Sequence, residues 1–318
     1  MKYQKINTLF KRDENNLIIP TEYCQDEFNY LKDLKWECTE KIDGTNMRVI
    51  ITPIYSQKYL ENANVFVDAF TEFKIEFKGK SDDAIIPKHL LAKMQEIFTK
   101  SKVYEAFAEH YVLNDENFEK NLNPIILYGE GYGVKIQKGG NYISNGVDFI
   151  LFDVKIGDFW LLRNSCEDIA RSLNINIVPL VGLMTIPEAI EYVKKGFISN
   201  ISENRSYMAE GLVLKTPLGL MDRRGNRLIA KIKYKDFRDL ERKTPKVYDI
   251  YKRINYQDFG GNLKSIDAKL AGPSYTDKKT AKSVLQKIRE ENKENTNWIF
   301  YIAEKLVGSD EILNEIYE

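Results

Sequence analysis

The chain has 318 residues, of which 43% are hydrophobic and 12% aromatic, as in a globular protein with a large core rather than a disordered chain. Lys plus Arg and Asp plus Glu both total 47, so a polyanionic partner would have to bind to local basic patches. The scattered cysteines lack disulfide-framework and zinc-ligand spacing, and no apolar run approaches the roughly 20 residues of a membrane-spanning helix. We therefore expect a cytoplasmic protein without a membrane partner.

The first strand signal in the chain is interrupted. In "TEKIDGTNMRVI" and the residue after it, the β-branched run 49–51 favours a strand, whereas Asp43, Gly44 and Asn46 are residue types that strands avoid. This pattern indicates that a chemical role displaces strand-forming residues at this point.

Further strands and helices are predicted up to about residue 237. Alternating or β-branched segments predict strands in "EFKIEFKG", "PIILYGEGYG", "DFILFDVKIGDFWLL" (a hairpin through "KIGD"), "GLVLKTP" and "RLIAKIKY" (a pair). Helical spacing predicts helices in "IPKHLLAKMQEIF", "NSCEDIARSL" and "TIPEAIEYVKKG". Asn164 is the predicted N-cap of the second helix, and the third begins at Thr185 with Glu188 and ends at Gly196.

After Phe237 the pattern becomes helical and strongly charged. Residues 222–253 contain 12 Lys and Arg against 5 Asp and Glu, a net charge of +7. Such a run is most often a solvated helix face, but it would also suit a polyanion. We predict two domains, an α+β domain over 1–237 and a small all-α domain over 238–318.

Two well-known nucleotide-binding signatures do not account for the sequence. No G-x-x-x-x-G-K-[ST] segment occurs, so the chain has no P-loop. "DFG" and "GEGYG" hint at a protein kinase, but the glycine spacing differs and no H-R-D catalytic loop exists. Nucleotide chemistry would need an unrelated kind of site.

Acids, lysines and an aromatic residue recur in order on or beside the predicted strands. A lone K-x-D-G, here Lys41 to Gly44 in "EKIDGTN", is a weak signal of catalysis. Four elements follow it: "LYGEG" with Glu130, "DFILFDV" with Phe152 and Asp153, "AEGLVLK" with Glu210 and Lys215, and "IAKIKY" with Lys231 and Lys233.

This ordered set resembles the covalent nucleotidyltransferases, the superfamily of polynucleotide ligases and mRNA-capping enzymes, in which the lysine of K-x-D-G is nucleotidylated. The resemblance extends from Glu40 to Phe237 and looks closest to the bacteriophage-type RNA ligases that seal nicks in duplex RNA. Asn46, the segment "GYGVKIQKGGNY" and the helical C-terminal pattern point to that branch. DNA ligases and capping enzymes place a β-rich OB-fold after the last lysine motif, and no alternating strand pattern follows residue 240. The resemblance implies an ATP-grasp-like nucleotidyltransferase fold, with antiparallel sheets flanked by helices.

The resemblance also implies a set of site residues. They are Lys41, Asp43, Lys231 and Lys233 as catalytic residues, Glu40, Ile42, Asn46, Lys80, Glu130, Phe152, Glu210 and Lys215 as nucleotide-binding residues, and Glu210 and Asp153 as metal ligands. Phe152 would stack on the adenine, Glu130 would hold the ribose hydroxyls, and Glu210 would face the nucleotide or its metal.

Some of these assignments have a structural alternative. Phe152 could be a core residue, although the nearby Phe149 suits that role better. Asn46 could be a turn residue. Lys80 stands where related ligases often have an arginine, whose planar fork a lysine cannot form, and Arg48 receives no role.

The lysine cluster has a chemical purpose in this interpretation. An ordinary lysine is almost fully protonated at neutral pH, and only its free amine can attack phosphorus. Positive charge on Lys231, Lys233 and a divalent metal would favour a free amine on Lys41 and steady the leaving pyrophosphate. The first two are two residues apart and would share one strand face. Asp43 would orient Lys41 or a metal-bound water.

We expect an ATP-dependent RNA ligase. ATP would make Lys41-AMP with release of pyrophosphate, AMP would move to an RNA 5′-phosphate, and an RNA 3′-hydroxyl would displace AMP. Mg²⁺ or Mn²⁺ would serve each step. The expected substrate is RNA with 3′-hydroxyl and 5′-phosphate ends, as a nicked duplex in RNA repair, bound by a monomer through its helical C-terminal domain, in the host cytoplasm if the chain is viral. A capping-type guanylyltransferase and a non-catalytic RNA-binding protein on the same fold remain as alternatives.

Overall fold

The computed structural model describes residues 2–60, 65–107, 123–137 and 142–243. The strands in these ranges are β1 (Asn7–Thr8), β2 (Phe10–Arg12), β3 (Ile18–Tyr23), β4 (Trp36–Glu40), β5 (Thr45–Leu60), β6 (Val65–Lys78), β7 (Ile125–Gly133), β8 (Val147–Ile156), β9 (Phe159–Trp160), β10 (Asn176–Ile177), β11 (Leu180–Met184), β12 (Gly211–Lys215) and β13 (Ile229–Lys233). The helices are α1 (Asp26–Tyr30), α2 (Lys88–Ile97), α3 (Lys100–Phe107), α4 (Arg163–Leu173), α5 (Ile186–Lys195) and α6 (Tyr234–Lys243). All the strands and helices predicted before residue 237 are present. Strand β6 begins earlier in the chain than the predicted segment "EFKIEFKG".

Two mainly antiparallel sheets organise the fold. The five-stranded sheet has the order β1-β13-β12-β4-β11, and the six-stranded sheet has the order β10-β8-β7-β5-β6, with β9 paired to β8. Only the short edge strands β1 and β10 pair in parallel among the described strands. The α+β class and the antiparallel sheets flanked by helices are therefore confirmed.

Helices cover one face of the six-stranded sheet. On β5, Met47, Val49 and Ile51 are buried in a core shared with α2, α3 and α4. Side chains alternate between the two faces of a strand, so Asn46 and Arg48 leave β5 on the opposite face. The helix α5 instead contacts β11, β12 and β13 of the five-stranded sheet. The face of the six-stranded sheet opposite to these helices is thus the face on which Asn46 and Arg48 lie.

A β-bulge in β8 changes which residues share a face. Tyr128 of β7 pairs with Asp153, and the next residue of β7 pairs with Leu151, so Phe152 has no partner in this ladder. Phe149, Leu151 and Val154 lie in the helix-covered core. Phe152 and Asp153 therefore both face away from that core, although they are consecutive in the sequence.

The predicted helix ends are confirmed in one helix and wrong in another. Thr185 accepts a hydrogen bond from the Glu188 amide, and Glu188 accepts one from the Thr185 amide, which completes the predicted capping box of α5. Asn164 is not the N-cap of α4, which begins at Arg163. The N-cap is Leu162, two residues earlier than predicted, and the Arg163 side chain in the first turn donates to Glu167 at 2.7 Å and to the Val178 carbonyl at 2.9 Å.

The chain divides into two compact units, Met1–Phe237 and Arg238–Glu318. Of the second unit the structure describes 238–243 only, so the predicted all-α domain lies almost wholly outside the described residues. Within the described ranges, no helix has the length and apolar character needed to span a membrane.

Candidate active site

A cavity of about 550 Å³ is lined by both sheets. Most of the predicted site residues line it, and these are Glu40, Lys41, Ile42, Asn46, Lys80, Glu130, Phe152, Lys215 and Lys231. A smaller cavity of about 220 Å³ shares Thr39, Phe152 and Lys215 with it but is not lined by Lys41. The larger cavity is therefore the candidate active site.

The K-x-D-G segment forms the connection between β4 and β5. Its backbone is held at Lys41, whose amide donates to the Gly211 carbonyl at 2.9 Å. The Asp43 amide donates to the hydroxyl of the buried Tyr142 at 2.9 Å. A Cβ at Gly44 would collide with the Gly131 backbone, so only glycine fits there. The interruption of the strand signal thus marks a loop that is fixed against β7 and β12.

Lys41 and Lys233 share one carboxylate. The Lys41 Nζ atom lies 2.5 Å from Glu210 Oε2, and the Lys233 Nζ atom lies 2.7 Å from Glu210 Oε1. Glu210 is 17% exposed, and it immediately precedes β12. The structure therefore brings three predicted residues into direct contact, and Glu210 contacts Lys41 of the K-x-D-G segment itself.

Lys231 faces the cavity from the same side of β13 as Lys233. Burial, followed by the positive charges of Lys233 and Lys41, lowers the pKa of Lys231 below its usual value. Within the part of the chain that the structure describes, its ammonium has no hydrogen bond or ion pair. Lys231 is thus available to bind an anionic group in the cavity.

Acidic side chains surround the same space. Burial, with the neighbouring charges of Glu210 and Asp43, raises the pKa of Glu130 to about 8 despite the opposing effect of Lys41. Burial and the charge of Glu210 also raise the pKa of Asp43. Glu40 is almost fully buried, its pKa is raised by burial, and its carboxylate accepts from the Ser199 hydroxyl and from the Asn200 amide. The acids are crowded, which favours a ligand that brings donors or positive charge.

Asn46 lies on β5 and not in a turn. It pairs with Glu130 of β7, and both line the cavity. Its Oδ1 atom is buried without a hydrogen-bond partner among the described residues. A buried acceptor without a donor is costly, so this atom fits a ligand group that donates a hydrogen bond.

Phe152 and Asp153 have different environments. Phe152 is partly buried and lines the cavity, whereas Phe149 is 1% exposed in the core, as the sequence indicated. Asp153 is 3% exposed and bonds Lys215 at 2.8 Å and Arg227 at 2.9 Å. Although burial alone would raise the pKa of Asp153, Lys215 and Arg227 lower it.

These contacts oppose the predicted metal role of Asp153. Its oxygens are already engaged by two cations and by the hydroxyl of Tyr3. We therefore correct this assignment to a buried ion cluster that joins β8 to Lys215 of β12. The bulge places Asp153 on the same side of β8 as Phe152, but the two cations occupy its carboxylate there.

The N-terminal segment is a part of the site that sequence reasoning missed. Residues 3–6 line the cavity, and the Tyr3 ring packs edge-on against Phe152 with centroids 5.0 Å apart. Gln137 also lines the cavity and donates to the Gly44 carbonyl at 3.1 Å. No motif marked residues 3–6, which meet the site only through the tertiary fold, whereas Gln137 lies in the segment "GYGVKIQKGGNY" but was given no role.

The described residues alone do not form a cage for a metal ion. No group of three or more His, Cys, Asp or Glu side chains with suitable geometry occurs among them. A hard divalent cation is often held by one or two carboxylates together with substrate phosphates. Both oxygens of Glu210, the other predicted metal ligand, are occupied by Lys41 and Lys233, so this role requires one of the two ion pairs to open.

A loop lysine between the two sheets contacts an acid and lies near two strand lysines, which is the arrangement that the resemblance to covalent nucleotidyltransferases predicts. The RNA ligase family model matches residues 34–233, so the chain belongs to the RNA ligase family. This match contains all the predicted site residues.

Similar solved structures include RNA ligase from Naegleria gruberi. The structure with PPi is 20% identical, with a TM-score of 0.39 over 74% of this chain and 58% of that chain. A mutant with AMP and Mn is 17% identical, with a TM-score of 0.42 over 75% of this chain and 58% of that chain. A mutant with ATP and Mn is 17% identical, with a TM-score of 0.40 over 75% of this chain and 59% of that chain. No match was found among curated proteins.

Proposed function

We propose that this chain is an ATP-dependent RNA ligase that works through a covalent lysyl-AMP. The observation that carries the proposal is the position of Lys41 on the wall of a cavity that also holds Phe152, Glu130 and Lys231, whose ammonium has no partner in the described part of the chain. A flat aromatic ring, acceptors and a cation are the groups that a base, ribose hydroxyls and phosphates require.

The contacts of Glu210 support a specific role in lysine activation. Lys41 Nζ must lose a proton before it forms a bond to the α-phosphorus of ATP and displaces pyrophosphate. Glu210 Oε2, at 2.5 Å, is in place to receive that proton. Lys233 bonds the other oxygen of Glu210 and holds the carboxylate beside Lys41 before the proton is transferred.

Lys231 is in a position to bind the negatively charged phosphates of ATP. Its ammonium faces the cavity with no partner among the described residues and is therefore free to bind the phosphates. Bound Mg²⁺ or Mn²⁺ would neutralise charge on the attacking and leaving oxygens.

The RNA steps follow from the same lysyl-AMP. AMP moves from Lys41 to a 5′-phosphate, and a 3′-hydroxyl then attacks that phosphate and releases AMP. We propose a nicked duplex as substrate, because the basic stretch 222–253 supplies charge for a phosphate backbone without a base-reading motif. We also propose that residues 238–318 bind RNA and that the protein acts as a monomer in RNA repair, as in bacteriophage-type ligases. A cytoplasmic location is part of the proposal, because free cysteines are typical of proteins in a reducing compartment.

Labelling with α-labelled ATP and a divalent metal tests the proposal. The wild-type chain should retain a covalent label that Lys41→Ala abolishes, whereas Lys93→Ala, which removes a lysine from helix α2, should label normally. Labelling by GTP in place of ATP would establish the guanylyltransferase alternative. No label from either nucleotide would leave the RNA-binding alternative.

A further inference from the structure

A buried arginine on the cavity-facing side of the six-stranded sheet has no part in the chemistry above. Arg48 lies on β5 two residues after Asn46, so both side chains leave the strand on the same face. The Arg48 side chain is 0% exposed. Because an unpaired charge is very costly to bury, a guanidinium at this position needs fixed partners.

Arg48 finds these partners in the turn that follows β6. Its Nε atom donates to the Gly79 carbonyl at 2.9 Å, and its Nη2 atom donates to Asp82 Oδ1 at 2.8 Å. The turn is also tightly packed, since a Cβ at Gly79 would lie 2.8 Å from the Cβ of Ala84. The sheet therefore holds this turn on both sides of Lys80.

Lys80 is the residue of this turn that lines the candidate active site. Its side chain is exposed, and among the described residues its ammonium has no hydrogen bond or ion pair. The lysine ammonium is a single charge on a flexible side chain, whereas the planar guanidinium of arginine can bind an anion through two donors. The position of the Lys80 ammonium therefore depends on the position of the backbone at that residue.

We infer that Arg48 is a positioning residue, whose buried guanidinium holds Gly79 and Asp82 and thereby directs Lys80 at a phosphate group in the cavity. The inference rests on the proposed function for the source of that phosphate, which is ATP or the RNA end. Arg48, to which the sequence assigned no role, thus has a specific role at the site.

Asp82 allows this contact to be broken without altering the core, because its side chain is 60% exposed. Full-length Asp82→Asn, Lys80→Ala and the double variant are compared for self-adenylation with α-labelled ATP and for sealing of pre-adenylylated nicked RNA. The neighbouring exposed acid supplies the matched control, because Asp83→Asn makes the same change of charge. Melting temperatures are measured for every variant.

We expect Asp82→Asn to lose about fivefold in the step that Lys80→Ala slows, as for a partly exposed ion pair. The double variant should be no slower than Lys80→Ala, and Asp82→Glu should recover both the rate and the melting temperature that Asp82→Asn loses. A purely structural contact would instead leave the effects of the two substitutions on the rate independent.

Several results would overturn the inference. The losses in rate could be additive in the double variant, or Asp82→Asn and Asp83→Asn could have equal rates of self-adenylation and sealing. Lys80→Ala could also leave both rates unchanged. Each result counts against the inference when the wild type forms lysyl-AMP normally. Failure of the proposed function is distinguishable, because the wild-type chain would then take up no label, and the inference would fall with it.

Discussion

The buried carboxyl of Glu130 should make the stability of the free protein depend on pH. Burial raises its pKa from the ordinary 4.5 to about 8, so folding favours the protonated form. The wild type therefore has its full stability below pH 4.5 and loses part of it as the pH rises to about 8. That interval corresponds to about 5 kcal/mol at most, at about 1.4 kcal/mol for each pH unit. Because solvent reaches part of the side chain, we expect a loss of about 2 to 3 kcal/mol.

Glu130→Gln isolates this effect because the amide does not titrate. Urea unfolding of wild type and variant at pH 5, 6.5, 8 and 9, without nucleotide or metal, gives the free energy of unfolding of each. The variant should gain on the wild type between pH 5 and 8 and keep a constant lead above that. Glu105→Gln, at an exposed site on α3, should show no such trend. A difference between wild type and Glu130→Gln that does not vary with pH would refute the reasoning.

Three further substitutions test separate parts of the site. Phe152→Leu should weaken ATP binding about tenfold in calorimetry at an unchanged melting temperature, as expected for lost stacking, whereas Phe149→Leu should lower the melting temperature; the reverse result would assign Phe152 to the core. Asp153→Asn should cost about 3 to 5 kcal/mol in urea unfolding at pH 7, because it leaves two buried cations unpaired. Since folding lowers the pKa of Asp153, the difference in unfolding free energy between wild type and Asp153→Asn should shrink as the pH falls below about 3.8. An equal loss of unfolding free energy in Asp158→Asn, at an exposed site, would contradict the stabilising role of the ion cluster. Lys231→Ala should slow single-turnover self-adenylation, with Lys231→Arg recovering part of the rate; an unchanged rate in the alanine variant would show that this cation does not handle the phosphates.

Local patterns were sufficient for most of the fold, and the ordered motifs contained most of the predicted residues that line the cavity. The alternation in "EFKIEFKG" predicted β6, and the spacing of Lys231 and Lys233 placed both on one face of β13. The ordered acids and lysines predicted which strand ends meet at the cavity. These signals work because each depends on neighbours within a few residues.

Contacts between distant segments account for what the sequence could not predict. The partners of Arg48 lie about thirty residues away in a turn, and Tyr3 meets Phe152 only after both sheets have formed. A bulge reverses the alternation at Asp153, and no residue preference in "FILFDV" announces it. The contact of Lys41 with Glu210 joins residues 169 apart in the sequence, so its geometry required the structure.

The ion cluster around Asp153 bears on how nucleotide analogues should be selected as inhibitors. It ties the two sheets together directly behind Phe152, through Lys215 on one side and β8 on the other, and Arg227 stacks on Trp160 at 3.6 Å beside it. Widening the cavity there would separate buried charges, so bulky substituents on a purine ring should be rejected. Analogues altered at the phosphates should be tolerated better, because the cations at that end include the unpartnered Lys231 and the exposed Lys80.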